Sequence, residues 1–267
     1  MCMLGNNIVK IPYSHWGSMS EKKENYLASK MILPYDERSN EDVDDVAWKI
    51  KFDKKEIEID FENRVISFPR QVSFEEFCYS LRMILDGIMV REGCCPAHAA
   101  AINYSDKQII LSANTNEGKS FFANKISNKV NGARIIGDDH ILFSKDCITG
   151  NNVYRIRQDG IERYSVNNRI EYKLDNIILM GLVKSEYNNC EIIYGTKMID
   201  ILEQLSFMKY LLSNYTICGK EYSYKELFSE NIKDQYISTI VSSVDRMLLI
   251  SGSANYVEEK LLNVLEG

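Results

Sequence analysis

The residues best suited to chemistry are Gly118, Lys119 and Ser120, which stand in a short loop between two apolar segments. Residues 113–120 read ANTNEGKS and match the phosphate-binding pattern G-x-x-x-x-G-K-[ST], except that Ala113 replaces the first glycine. In that pattern the glycine lets the backbone approach a phosphate, the lysine places a charge on the β- and γ-phosphates, and the hydroxyl binds Mg²⁺. The spacing therefore predicts that Lys119 contacts a nucleoside triphosphate such as ATP and that Ser120 is a ligand of Mg²⁺.

The phosphate-binding pattern requires a strand before the loop and a helix after it, and the sequence supplies both. Residues 109–111 form an aliphatic run that suits a buried strand, and apolar residues recur at helical spacing over 121–130. Backbone N–H groups in such a loop point inward at the positive end of the helix, so several successive residues would bind the anion. We assign nucleotide binding to Asn114, Thr115, Asn116, Glu117, Gly118, Lys119 and Ser120. The alternative is a helix N-terminus that carries Lys and Ser by chance.

Two positions in the loop depart from the usual glycines. Ala113 lacks the freedom of glycine at positive φ, so it must take an ordinary φ or accept strain. Asn116 stands where a second glycine is common, and asparagine tolerates the left-handed region. These two residues leave the strength of nucleotide binding open.

A pair of adjacent carboxylates, Asp138 and Asp139, follows the next short strand, which we place at residues 133–137. One helix and one strand separate the pair from Ser120, so the chain should return it to the sheet edge that carries the loop. There one carboxylate can hold the metal while the other accepts a hydroxyl proton. The alternative is a solvated turn.

A histidine, His98, lies in the segment that precedes the loop strand, and we place it on a strand over residues 97–102. Its neighbours are small residues. From these neighbours alone, His98 is a core histidine whose ring bonds to a backbone carbonyl.

Net charge, cysteine pattern and the lengths of apolar runs limit the classes of protein to which the chain can belong. A net charge of −6 over 267 residues argues against a general nucleic-acid binder, which normally has a basic face. The seven cysteines include no C-x-x-C pair, which indicates reduced thiols and a cytoplasmic protein. The chain contains neither a signal-peptide core nor a run of about 18 apolar residues, so we expect no membrane insertion.

The remaining pattern predicts an α/β chain with a mixed sheet. Alternation over residues 46–66 favours an antiparallel meander, and a capping box at Ser73 and Glu76 begins a helix. We expect a small β-rich N-terminal region with one helix over residues 1–95, and a catalytic domain over residues 96–267. In the second region we predict a strand at 176–180, helices at 201–212 and 224–244, a strand at 246–251 and a helix at 256–265.

The order of these features resembles a known family. His98, the ANTNEGKS loop and the Asp138-Asp139 pair occur in the same order as in the C-terminal catalytic domain of HPr kinase/phosphorylase, whose P-loop core is shared with phosphoenolpyruvate carboxykinase. The resemblance covers about residues 96–143. It implies an HPr kinase/PEP carboxykinase-like P-loop core, with Asp138 as general base, Asp139 as the carboxylate on the metal side, and His98 near the transferred phosphate.

The function expected from these residues is an ATP- and Mg²⁺-dependent kinase. It would phosphorylate a hydroxyl group of a peptide or protein, with catalysis by Asp138, His98 and Lys119. Two alternatives are a kinase of a small metabolite and a nucleotide-binding module without catalysis. The later glycine-rich signature associated with phosphorylase activity has no counterpart here, so reverse phosphorolysis is not predicted. The resemblance leaves self-association into a homo-oligomer open.

Overall fold

The structure is a computed structural model that describes residues 9–17, 20–28, 30, 35–36, 48–151, 153–158, 161–166, 171–173, 176–244 and 246–266. Up to residue 91 the described elements are β1 (Val9–Lys10), a 3-10 helix (Tyr13–Trp16), α1 (Glu21–Ala28), β2 (Tyr35–Asp36), β3 (Trp48–Lys54), β4 (Glu58–Asp60), β5 (Val65–Pro69) and α2 (Phe74–Arg91).

From residue 95 onward the elements are β6 (Cys95–Ala97), β7 (Ala100–Tyr104), β8 (Lys107–Ser112), α3 (Lys119–Lys129), β9 (Arg134–Gly137), β10 (Ile141–Phe143), β11 (Cys147–Gly150), β12 (Val153–Gln158), β13 (Ile161–Val166), β14 (Tyr172–Lys173), β15 (Ile177–Lys184), β16 (Asn189–Tyr194), α4 (Gly195–Gln204), α5 (Lys209–Leu212), β17 (Tyr215–Ile217), β18 (Lys220–Tyr222), α6 (Tyr224–Leu227), α7 (Ile232–Ser243), β19 (Arg246–Gly252) and α8 (Ala254–Glu266).

A six-stranded mixed sheet forms the centre of the molecule, with the order β16-β19-β15-β8-β7-β9. The strands β8, β15 and β19 run parallel, while β7, β9 and β16 run antiparallel to their neighbours. The parallel strands end at one edge of the sheet, where β8 leads through residues 113–118 into α3. The α/β class with a mixed sheet is therefore confirmed.

A second sheet, with the order β14-β11-β10-β6, lies beside the first. Two antiparallel chain segments pass from one sheet to the other. The first segment crosses at residues 98–99, between β6 and β7, and the second crosses at residues 138–140, between β9 and β10. The prediction of one continuous strand over 97–102 is therefore wrong, because β6 and β7 pair in different sheets and His98 occupies the bend between them.

The N-terminal sheet has the order β2-β1-β3-β5-β4. Here β3 pairs with β5 in parallel, and β4 pairs with β5 at the sheet edge. The predicted antiparallel meander is wrong. The apolar strand β5 is the most buried of the three and takes the inner position, while the polar strand β4 stays at the edge. The region also contains α1, a mostly polar helix, in addition to the expected α2.

Helix α2 begins at the predicted capping box, in which Glu76 donates its backbone N–H to Oγ of Ser73 over 3.2 Å. The helix packs against α7 and β6. One hydrophobic cluster contains residues from both sides of the predicted boundary at residue 95, for example Phe77 and Phe207. The N-terminal region therefore shares its core with the rest of the chain.

The later helices are shorter than the apolar patterns suggested. Residues 201–212 divide into the end of α4 and the short α5, and residues 224–244 divide into α6 and α7. In the first case Ser206 takes a left-handed φ of 59°, which stops the helix and forms a turn. The strand β19 and the helix α8 lie where they were expected. Among the described residues, no helix has the length and apolar character needed to cross a membrane.

Candidate functional site

The 113–118 loop joins β8 to α3, and its conformation accommodates the two unusual residues, Ala113 and Asn116. Ala113 is fully buried and is not among the residues with positive φ, so it needs no glycine-like conformation. Asn116 takes a left-handed φ of 67°, which asparagine tolerates, and Gly118 has a φ of 108° as the N-cap of α3. Both replacements are therefore compatible with the loop conformation.

Hydrogen bonds fix the first half of this loop. The backbone N–H of Asn114 donates to Oε2 of Glu117 over 3.2 Å, and the N–H of Glu117 donates back to the carbonyl of Asn114 over 3.2 Å. The Ser206 hydroxyl donates to Oδ1 of Asn114 over 3.0 Å. Because the Glu117 carboxylate occupies the N–H of Asn114, an anion would first meet the amides later in the loop. Thr115 and Asn116 are exposed there.

Lys119 is the first residue of α3, and its side chain turns back beneath the loop. Only 7% of the residue is exposed. Its Nζ donates to the carbonyl of Ala113 over 3.2 Å and lies 3.4 Å from Nε2 of His98. Burial lowers the pKa of Lys119, while the nearby charges of Asp139 and Asp138 oppose this change. The ammonium group is thus a buried positive charge directly under the 113–118 loop.

Asp138 follows β9 and contacts the start of α3. The Ser120 hydroxyl donates to Oδ1 of Asp138 over 2.7 Å, and the backbone N–H of Asp138 donates to Oδ1 of Asn151 over 3.2 Å. Asp138 is 3% exposed, and this burial raises its pKa to about 6, although the hydrogen bond from Ser120 opposes the rise. Ser120 and Asp138 together present two adjacent oxygen donors, the ligand type that Mg²⁺ prefers.

Gly137 explains why β9 can deliver Asp138 to this place. A Cβ atom at Gly137 would lie 2.7 Å from the Cα of Gly150 in β11. Side chains cannot fit between backbones that approach so closely. The glycine therefore allows β9 to end against β11, beside the residue Asn151 that bonds to Asp138.

Asp139 adopts a left-handed φ of 70°, and its side chain is 40% exposed. Its Oδ1 lies 2.9 Å from Nε2 of His98, and its Oδ2 lies 3.5 Å from Nη1 of Arg82. Burial would raise the pKa of Asp139, but the hydrogen bond with His98 and the charge of Arg82 hold it well below its usual range. Asp139 is therefore an ionised carboxylate that solvent can reach.

His98 is held by the turn between α4 and α5. Its Nδ1 lies 3.2 Å from the carbonyl oxygen of Ser206, and its backbone N–H donates to the carbonyl of Phe207 over 3.0 Å. Burial lowers the pKa of His98, while the contact with Asp139 opposes this change. The backbone carbonyl expected for a core histidine is present, and the other ring nitrogen nevertheless faces Lys119 and Asp139.

The structure thus brings together the catalytic and metal-side residues chosen from the sequence: His98, Lys119, Ser120, Asp138 and Asp139. The sequence also contains three arginines close together, Arg155, Arg157 and Arg163, whose charge could stabilise a transferred phosphate or simply face solvent. They lie in β12 and β13, whose side chains are outside the described part of the chain. Among the described residues, no three His, Cys, Asp or Glu side chains group as a metal site.

Sequence reasoning missed Arg82, Asp86 and Ser206. The two residues of α2 did leave a signal. Arg82 and Asp86 are the charged residues of an otherwise uncharged stretch, 77–90, and stand at i and i+4. Such a pair on an apolar helix indicates a buried ion pair that faces something polar. Ser206 carried no comparable signal, because its contacts with His98 and Asn114 join residues about a hundred positions apart in the sequence.

Comparisons with known proteins leave the identity of the chain open. Neither a scan against protein-family models nor a search of curated proteins finds a match. The function must therefore be inferred from the site.

Proposed function

We propose that the chain is an ATP- and Mg²⁺-dependent phosphotransferase that phosphorylates a hydroxyl group, with Ser or Thr of a peptide or protein as acceptor. The observation that carries this proposal is the meeting of three contacts at the start of α3: Lys119 with His98, Ser120 with Asp138, and His98 with Asp139. Phosphoryl transfer needs a cation at the phosphates, oxygen ligands for Mg²⁺ and a carboxylate for the acceptor.

In this proposal the 113–118 loop is a P-loop in an HPr kinase/PEP carboxykinase-like core. The loop lies at the N-terminus of α3, an eleven-residue helix whose first N–H groups have no partners within the helix. Lys119 lies under the loop and carries the positive charge that the β- and γ-phosphates require. The sequence order over residues 96–143, which resembles HPr kinase/phosphorylase, supports the same interpretation.

The oxygen donors suit Mg²⁺. Ser120 supplies a hydroxyl that bonds to Asp138, and Asp138 and Asp139 supply carboxylates. When bound, Mg²⁺ would neutralise charge on the transferring phosphate. We assign Asp139 to the metal side, because its carboxylate is ionised and 40% exposed.

Asp138 is assigned the role of general base. A base works best when its pKa lies near the working pH, and burial raises the pKa of Asp138 to about 6. The carboxylate can orient the acceptor hydroxyl and take its proton as the oxygen attacks the phosphorus. His98 contacts Asp139 and Lys119, which supports a role for it near the transferred phosphate.

The experiment is phosphate transfer from Mg-ATP by the purified chain. It is offered Ser- and Thr-containing peptides, including those encoded beside its gene, and in parallel a set of small alcohols. We expect a phosphate mass increment on a peptide and loss of most turnover in Asp138→Asn. An increment on small alcohols alone would assign the chain to metabolite kinases.

The same experiment tests for a binding module without catalysis. Such a module would bind Mg-ATP equally well in the wild-type protein and in Asp138→Asn, and neither protein would transfer phosphate. That result would overturn the proposed activity.

We also propose a cytoplasmic location, where Mg-ATP is available. The six described cysteines are all free thiols, which supports this location.

A further inference from the structure

We propose that Arg82 is a positioning residue that holds Asp139 in its working orientation, an inference that rests on the proposed function. Arg82 lies on α2, far in sequence from the Asp138-Asp139 pair. Its Nη2 donates to the backbone carbonyl of Asp139 over 3.0 Å, and its Nη1 lies 3.5 Å from Oδ2 of the same residue. One planar guanidinium group therefore contacts both the main chain and the side chain of Asp139.

Burying the charge of Arg82 in the core is unfavourable for folding unless its polar contacts compensate for the lost hydration. The residue is 1% exposed on a helix whose neighbouring residues Leu81 and Met83 are fully buried. Burying a charged group costs several kcal/mol per ion, and well-packed apolar residues are often as stable as a buried ion pair. Stability alone therefore does not explain an arginine at this position, whereas holding Asp139 does.

The backbone of Asp139 needs such support. Its φ of 70° lies in the left-handed region, which is unfavourable for L-residues, though less so for aspartate. The hydrogen bond from Arg82 to the carbonyl of Asp139 stabilises this conformation. It also stabilises the crossing at residues 138–140, where the chain leaves one sheet for the other.

The side chain of Asp139 is held at both oxygens. Oδ1 faces His98 at 2.9 Å and Oδ2 faces Arg82, so rotation of the carboxylate would break one of the two contacts. About 40% of the side chain remains exposed to solvent. A fixed carboxylate is what a metal ligand or a phosphate-site residue requires, since a displacement of about 1 Å can cost about a hundredfold in rate.

A second contact, between Asp86 and His140, joins α2 to the next residue of the same crossing. Asp86, one helical turn after Arg82, accepts a hydrogen bond from Nε2 of His140 over 2.8 Å. Arg82 and Asp86 of α2 therefore contact two successive residues of the crossing, Asp139 and His140. Nε of Arg82 lies 4.0 Å from Oδ2 of Asp86, which gives the arginine a second carboxylate partner.

The test compares Arg82→Lys and Arg82→Met with Ser80→Ala, a control in the same helix. Ser80 is fully buried, and its hydroxyl donates to the carbonyls of Glu76 and Phe77 in its own helix. Arg82→Lys keeps the charge beside Asp86 and should stay folded, but it lacks the planar fork. We measure kcat and KM for Mg-ATP, together with hydrogen–deuterium exchange of the backbone over residues 138–140.

For both Arg82 variants we expect kcat to fall at least about tenfold, with KM for Mg-ATP within about threefold of wild type, because the 113–118 loop is untouched. Exchange at 138–140 should be faster, and Ser80→Ala should match wild type in all measurements.

Wild-type kcat and wild-type exchange in folded Arg82→Lys would overturn the proposal. If Arg82→Met does not fold, Arg82→Lys decides. If the wild-type protein transfers no phosphate, the proposed function fails, and exchange at 138–140 still decides whether Arg82 holds Asp139.

Discussion

His98 and Asp139 meet where two antiparallel chain segments cross between the same two sheets, with Nε2 and Oδ1 2.9 Å apart. At both crossings the backbone is no longer paired with a neighbouring strand. The side chains of His98 and Asp139 can therefore turn toward the start of α3. Lys119 and Ser120 stand there already. The site is therefore produced by the paired crossings together with the strand–loop–helix unit.

The first prediction concerns the pH dependence of transfer. Asp138 must be ionised to accept a proton, and its pKa is raised to about 6 by burial. The rate should therefore fall about tenfold per pH unit below about pH 6 and level off above it. The measurement is kcat/KM for phosphate transfer against pH, because kcat/KM reports the pKa values of the free enzyme. A rate that stays constant down to about pH 4.5 would contradict the assignment of Asp138 as the base.

The second prediction concerns stability in Asp138→Asn. The folded pKa of Asp138 is about 6, above its ordinary value of 3.8, so the folded state binds this proton more tightly than the unfolded state. Stability from this group is thus fully present below pH 3.8 and is lost as pH rises through about 6. Asparagine removes that loss, so the variant should be more stable than wild type by up to about 3 kcal/mol at about pH 8, with little difference near pH 3.5.

Urea unfolding at both pH values checks this second prediction. Comparing wild type with the variant at each pH cancels the titration of groups that do not interact with Asp138. A variant that is less stable than wild type at the higher pH would show that ionised Asp138 stabilises the fold.

The third prediction concerns Lys119. Replacing it with Met removes the buried charge but keeps much of the volume, so Mg-ATP affinity should fall about ten- to a hundredfold, the range for a lost hydrogen bond to a charged group. Lys129→Met is the matched control, because Lys129 lies in the same helix and pairs with Glu258 over 3.0 Å. Calorimetric titration with Mg-ATP measures both variants. Equal affinity in Lys119→Met and Lys129→Met would place the phosphates elsewhere.

The fourth prediction concerns the loop residue Asn116. Its φ of 67° is readily adopted by glycine and poorly by β-branched residues. We expect Asn116→Gly to keep Mg-ATP affinity and Asn116→Val to weaken it, with a stability cost of about 1–3 kcal/mol for valine. Affinity and thermal unfolding are measured for both variants. Tolerance of valine without loss of either property would show that neither the free loop nor the nucleotide-bound loop requires a left-handed φ at residue 116.

Much of the fold near the site was predictable because it depends on local pattern. The strand β8, the loop, the helix α3 and the strand β9 follow from apolar runs and from Gly118. The capping box at Ser73 also set the start of α2 correctly. These features are determined by residues close together in the sequence.

The parts that could not be predicted depend on contacts distant in sequence. The break at His98 exists because β6 pairs with β10 while β7 pairs with β8 and β9. The place of β5 between β3 and β4 likewise follows from which strand is most buried. The Arg82 contact with Asp139 spans 57 residues, and no local pattern could give its partner.

The most direct test of the central claim is a crystal structure of the chain with Mg²⁺ and a non-hydrolysable ATP analogue. We predict that the β- and γ-phosphates contact Nζ of Lys119 and the backbone amides of residues 115–119, with Mg²⁺ bound to Ser120 and to a carboxylate of the Asp138-Asp139 pair. A nucleotide bound away from Lys119, or a 113–118 loop that stays closed to saturating nucleotide, would contradict the account.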